Sequence, residues 1–167
     1  ARMVASGGVP LHAAVAGGML TIGDYHGTFD RPAAMFQQGI EEAKAGNISL
    51  EQQAKIIVGD AKTEGKYLPG FHHPQHIRDP RSVRLMEIGE TLGVAGQHFD
   101  LALAMEDATE HVHSKRIWLN AVGVSGALLS DMGFAPQLAK GVMLVSRSII
   151  FRIREPETSM ELNHERI

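Results

Sequence analysis

Between residues 30 and 150 the apolar side chains recur at steps of three and four, the pattern of a helix with one buried face, and the longest break falls over residues 65–81. That break holds three of the nine histidines, three of the seven prolines and two glycines. Pro69, Pro74 and Pro80 each remove a backbone donor and stop a helix from running on. An irregular segment of this length between packed helices is a functional loop or a disordered one. Histidines and arginines with little acid among them favour the first, a loop that handles an anionic ligand. No stretch alternates with the period of a strand, and no repeat is visible, so the chain reads as all-α.

Helix boundaries follow from capping chemistry. Asp30 ahead of Pro32 predicts a start, with an acceptor at the cap and then a residue that needs no N–H. Phe36, Ile40 and Ala43 continue that face, and Gly46 is placed to close it. Ser49-Leu50-Glu51-Gln52 is a capping box; Leu50, Ala54 and Ile57 carry the stripe, and Gly65 ends it. After the loop a helix is expected over residues 81–92, with Val83, Met86 and Ile88 inward. Another is expected near residues 98–113, carrying Leu101, Met105, Ala108 and Val112. Asn120 can cap a helix over residues 121–132, and Pro136 opens a last one with Leu138, Val142, Val145 and Ile149 on one face. Residues 1–22 are small and apolar and read as a buried segment near an interface, and the tail from Glu155 is polar.

Composition works by exclusion. A net charge of −3 supplies no field that would draw the chain to nucleic acid. With no cysteine, disulfide frameworks, thiolate zinc sites and cysteine nucleophiles are ruled out. No apolar run is long enough to span a bilayer and no secretory signal is found, so no membrane partner and a cytoplasmic location are expected. Neither a dinucleotide fingerprint nor a P-loop occurs. The opening Ala1-Arg2-Met3-Val4 reads as cut from a longer protein.

His26, in a glycine-flanked break, and His73, in the central loop, are the acid–base candidates, because imidazole titrates near neutral pH and its neutral N–H can polarise a carbonyl. The bland alternative is a pair of solvated loop histidines. His72, His73 and His76 could suggest a metal, but neighbours in sequence rarely converge on one ion, and His111 and His113 point to different faces of their helix. No metal is therefore expected. Among the carboxylates Asp24, Glu106, Asp107, Glu110 and Asp131, only Asp24, two residues from His26, stands out from the wet face of a helix. Arg78, Arg81, Lys115, Arg116 and Arg147 form a cationic set suited to carboxylates and phosphates.

Three segments together carry a resemblance. They are Gly18-Met19-Leu20-Thr21-Ile22-Gly23-Asp24 with Tyr25-His26-Gly27, then Gly70-Phe71-His72-His73 with Asp79-Pro80-Arg81, then Leu119-Asn120-Ala121-Val122-Gly123-Val124-Ser125-Gly126. In order and spacing they resemble the citrate synthase superfamily, and within it the citryl-CoA lyase branch that includes the C-terminal module of ATP-citrate lyase. The resemblance implies a helical fold of a large and a small domain, with the site in the cleft between them. Residues 1–28 would belong to the large domain, 29–133 to the small one, and 134–167 would return to the large. It implies a homodimer or higher homo-oligomer. It also implies chemistry that makes or breaks a carbon–carbon bond between an acetyl-CoA enol(ate) and a keto acid, with the CoA thioester as substrate and no other cofactor.

By the same resemblance His26 would hydrogen-bond the thioester carbonyl as it enolises, and His73 the ketone or alkoxide oxygen. Arg78 and Arg147 would bind substrate carboxylate, and Gly70, Phe71, Lys115, Arg116 and Asn120 would bind CoA. The family's catalytic aspartate falls on Val122, which can neither take nor return a proton, so Asp24 is the expected replacement base. His72 stands where the family has a glycine, Pro74 follows His73, Thr28 replaces another glycine, and Arg154 is shifted ahead of Glu155-Pro156. These departures leave open an impaired paralogue that keeps fold, dimer and CoA binding without turnover. A metal hydrolase built on the loop histidines is a weaker third reading.

Overall fold

The structure is a computed structural model that describes residues 2–23 and 28–153, the side chains of residues 150–153 excepted. Its described residues form helices and no strand: α1 (Arg2–Ala5), α2 (Leu11–Leu20), α3 (Asp30–Gly46), α4 (Leu50–Thr63), α5 (Pro80–Thr91), α6 (Gln97–His113), α7 (Ala121–Asp131) and α8 (Pro136–Ile153). The chain divides into two compact units, Phe29–Lys140, and Ala1–Thr28 together with Gly141–Ile167. No described helix is long and apolar enough to cross a membrane.

In the Phe29–Lys140 unit α4 packs on α6, and α3 and α5 pack on α7. Phe36 and Ile40 of α3, Ala54 and Val58 of α4, Leu101 and Met105 of α6, and Val124 and Ala127 of α7 meet in one apolar core. Each large side chain withdrawn from water there is worth about 2–3 kcal/mol. Leu68 and Phe71 from the loop and Leu119 from the α6–α7 link enter the same core, so the irregular segments are anchored from within. In the other unit α1 lies on α2 because Gly17 leaves room for Val4, whose methyl a Cβ at position 17 would meet at 2.8 Å.

Several boundaries form as their capping chemistry predicts. Ser49 and Gln52 exchange both hydrogen bonds of the capping box, and the Asn120 side chain accepts from the N–H groups of Val122 and Gly123. Others differ. Asp30 is the first residue of α3 rather than its cap; Ala33 N–H bonds to the Phe29 carbonyl, and Asp30 faces Lys140 at 3.5 Å. Its charge still favours the positive end of the helix. Gly46 is the last residue of α3, and Asn47 closes it in the left-handed region at φ 50°. Asparagine tolerates that conformation better than most residues.

The facing of two helices also departs from expectation. On α5 the inward residues are Ser82, Met86 and Gly89, while Ile88 is exposed. The glycine decides the rotation, since a Cβ there would meet Leu128 at 2.6 Å, and the close approach of α5 to α7 needs that side bare. On α8 Leu138, Val142, Val145 and Ile149 do share a face, but they are exposed, while Ala139 and Met143 are buried. Within this chain Met3 and Leu20 are about nine-tenths exposed, and Ala14 and Gly18 of α2 are buried.

Candidate functional site

The loop between α4 and α5 is ordered by bonds to the start of α7. Gly70 and Asn120 bracket a one-pair antiparallel bridge between Phe71 and Leu119, in which His72 N–H donates to the Trp118 carbonyl and Asn120 N–H to the Gly70 carbonyl, both at 2.9 Å. The Asn120 amide donates to the carbonyls of Phe71 and His72 while its oxygen caps α7. One side chain thus joins loop and helix. Gly70 has φ 86°, and a Cβ on it would meet the Gly123 Cα at 2.5 Å, so both glycines are required by contact. His72 occupies the left-handed region at φ 63° without being glycine. That costs about 1 kcal/mol, which the bonds on both its peptide groups offset.

Asp79 organises the loop's far end. It caps α5 ahead of Pro80 at the first helical position, and its side chain is fully buried. One carboxylate oxygen accepts from Arg81 N–H and Arg81 Nε, both at 3.0 Å; the other accepts from Arg81 Nη2 at 2.9 Å and Ala121 N–H at 3.1 Å. Burial alone would push its pKa up, but the Arg81 side chain, the two N–H donors and the Arg81 charge outweigh it and hold the group at about 2. The hydrogen bond to Asp79 raises the Arg81 guanidinium in turn, so Arg81 stays charged throughout.

Arg81 reaches back to the candidate histidine. Its Nη2 lies 3.1 Å from His73 Nε2, and the Gln75 N–H points at His73 Nδ1 from 3.1 Å. The His76 ring lies 4.8 Å from the ring of His73, tilted to it by 34°. A cavity of about 550 Å³ opens beside this group, lined by Lys66, Tyr67, Phe71, His72, His73, His76, His113, Lys115, Arg116 and Trp118 among others. Among the described residues no carboxylate lines it. Burial raises the Tyr67 phenol, which donates to the Phe71 carbonyl at 2.8 Å. The guanidinium groups of Arg78 and Arg116 each lie 4.7 Å from the ring of Trp118, the single tryptophan. Such stacking holds both cations at the rim. Arg116 also pairs with Asp107 and lies 3.4 Å from Glu106.

The loop therefore brings together His73, Phe71, Lys115 and Arg116 at one cavity, with Arg78 at its edge. Gly70 and Asn120 serve the backbone bridge. Arg147 lies on α8, in the other unit, half-buried. His26 and Asp24 lie outside the described residues. Among the described residues no group of three His, Asp or Glu is arranged to hold a metal. His113 lines the cavity, while His111 lines a separate groove between α4 and α6.

Two carboxylates assigned to the wet face are turned inward, Glu106 buried and Asp131 largely so. Glu106 accepts Leu119 N–H at 2.8 Å, and Asp131 accepts the N–H groups of Gly96, His98 and Phe99, capping α6 from the end of α7. Their partners are 13 to 35 residues away, beyond any local signal. Arg81 was legible in the D-P-R run, but its contact with His73 depends on the cap at Asp79.

Residues 1–150 match the family described as citrate synthase, C-terminal domain. The chain belongs to the citrate synthase family. Its fold is similar to the solved structure of citryl-CoA lyase from Hydrogenobacter thermophilus, with a TM-score of 0.78 and 31% identity over 90% of this chain. The match takes 56% of the lyase chain, so this chain spans little more than half its length. A comparison with curated proteins gives no match. As a citrate synthase family chain, it carries Val122 in the first turn of α7, half-buried, with its N–H given to Asn120.

Proposed function

We propose that this citrate synthase family chain takes part in making or breaking a carbon–carbon bond between an acetyl-CoA enol(ate) and a keto acid, as a citryl-CoA lyase-like or citrate synthase-like enzyme. The observation that supports it is the pairing of His73 with Arg81 beside a cavity lined by Lys66, Lys115 and Arg116 and, among the described residues, by no carboxylate. Cations there suit the phosphates of a CoA thioester, Arg81 and Arg78 suit a carboxylate, and His73 suits the oxygen between. On this reading His26 polarises the thioester carbonyl and Asp24 replaces the base lost at Val122. Residues 29–133 form the family's small domain and the flanking segments its large one. The assembly is a homodimer or larger, in the cytoplasm.

The deciding experiment incubates the full-length protein with citryl-CoA and related 3-hydroxyacyl-CoAs and follows acetyl-CoA and keto acid. Turnover supports the reading; none with any of them leaves the second reading, a paralogue that binds CoA without turnover, which Val122 favours. Val122→Asp separates the two further. A carboxylate in the first turn of α7 is favoured by the helix end, so the variant should fold. If the missing base alone is limiting, it turns over faster than the parent.

CoA binding has its own reporter. Trp118 emission should change as CoA is added, and Arg116→Ala should weaken that binding about tenfold, the loss of one charge-assisted contact. Unchanged affinity in the variant would remove Arg116 from the site.

A further inference from the structure

We propose that Arg81 gates His73: in the ligand-free chain it caps the Nε2 lone pair, and a substrate carboxylate that binds Arg81 frees that nitrogen to become a hydrogen-bond donor. This deepens the function proposed above and rests on it for the nature of the carboxylate.

Both ring nitrogens of His73 face groups that can only donate, the Gln75 N–H at Nδ1 and Arg81 Nη2 at Nε2. A neutral imidazole has one lone pair to offer and an imidazolium has none. Only one of the two contacts can therefore be a hydrogen bond at a time. With Arg81 in place, Nε2 accepts and the ring proton sits on Nδ1, opposite the Gln75 N–H. With Arg81 withdrawn from the ring, Nδ1 accepts from Gln75, and the proton sits on Nε2, pointing outward. The change moves one proton within the ring, through solvent, with no net uptake or release.

The guanidinium geometry identifies what draws Arg81 away. Asp79 occupies the fork made by Nε–H and one Nη2–H. The second Nη2–H serves His73, and it is the same hydrogen that, with Nη1–H, makes the remaining outward fork. A carboxylate binding that fork with both oxygens must take the hydrogen that His73 was using. A charged acceptor outcompetes a neutral imidazole for it. Asp79 holds the guanidinium through the exchange, so no large movement is needed. His73 becomes a donor only once the carboxylate-bearing substrate is bound, and a CoA thioester arriving alone meets an unarmed imidazole.

The test is the tautomer of His73 in the full chain. Histidine side-chain nitrogens are labelled with 15N and read by long-range proton–nitrogen spectra at about pH 8.5, above the ordinary histidine range, with His73→Gln for assignment. Malonate is the probe. The free chain should show His73 Nε2 unprotonated, and malonate should shift it to the protonated position while Nδ1 moves the opposite way. Arg81→Gln, at a largely exposed side chain, should show Nε2 protonated without malonate and unmoved by it. Nε2 protonated in the free parent chain, or a tautomer unchanged by both malonate and Arg81→Gln, would overturn the gate. Absence of thioester turnover with these shifts intact would count against the proposed reaction alone.

Discussion

Asp79→Ala lowers the stability of the Phe29–Lys140 unit by about 2 kcal/mol at pH 7. The substitution removes the cap of α5 and leaves the N–H groups of Arg81 and Ala121 without their acceptor. The lost cap, which is the Arg81 N–H bond, costs about 1 kcal/mol, and the stranded Ala121 N–H about 1 more. The Arg81 side chain is 58% exposed and can turn to water, so no buried charge is abandoned. Asp79→Asn isolates the charge. The group's pKa is held below its usual 3.8, at about 2, so its stabilisation is fully present above pH 4 and is lost as pH falls through 2. The difference between parent and Asp79→Asn should therefore be about 2 kcal/mol at pH 7 and shrink between about pH 4 and pH 2. Urea denaturation across that range measures it; a gap that stays constant with pH would show that the charge contributes nothing.

Gly123→Ala should be comparably damaging, for a steric reason. Alanine is the better helix former by up to about 1 kcal/mol, so propensity alone predicts a gain. The new Cβ would lie 2.2 Å from the Gly70 carbonyl oxygen and 2.9 Å from its carbon. That carbonyl cannot yield cheaply, because it accepts the Asn120 N–H at 2.9 Å and sits in the bridge that holds the loop. Overpacking against backbone should cost about 3 kcal/mol net and displace residues 70–73, with loss of CoA binding as the functional readout. Gly59→Ala is the control, since nothing lies within 4 Å of its would-be Cβ in the middle of α4. It should stabilise by up to about 1 kcal/mol. If both substitutions change the urea midpoint in the same direction, contact with Gly70 does not decide position 123.

Two acid–proline pairs show how far local chemistry reads. Asp30 with Pro32 and Asp79 with Pro80 both look like helix starts, and both stand at one. Only Asp79 is the cap, because its carboxylate also finds Arg81 and the first N–H of α7. The capping box at Ser49 and the cap at Asn120 were legible because their bonds close within three residues. The inward face of α5 was not, because Leu128, 39 positions along the chain from Gly89, sets it. Of the candidate site, the loop and its histidine were visible as a break in period. The role of Arg81 as a partner of His73 was not, because it needs Asp79 to aim the guanidinium.

The sequence by itself determined the helical class, most helix ends, the one long irregular segment and the kinship that three motifs carry. These depend on interactions within a turn or two, or on residue identities read in order. The tertiary structure alone decided which apolar faces are covered, that Glu106 and Asp131 serve remote backbone, and that Arg81 and Gln75 compete for one imidazole. Each of those is set by where remote backbone lies, and periodicity carries no record of distance between elements.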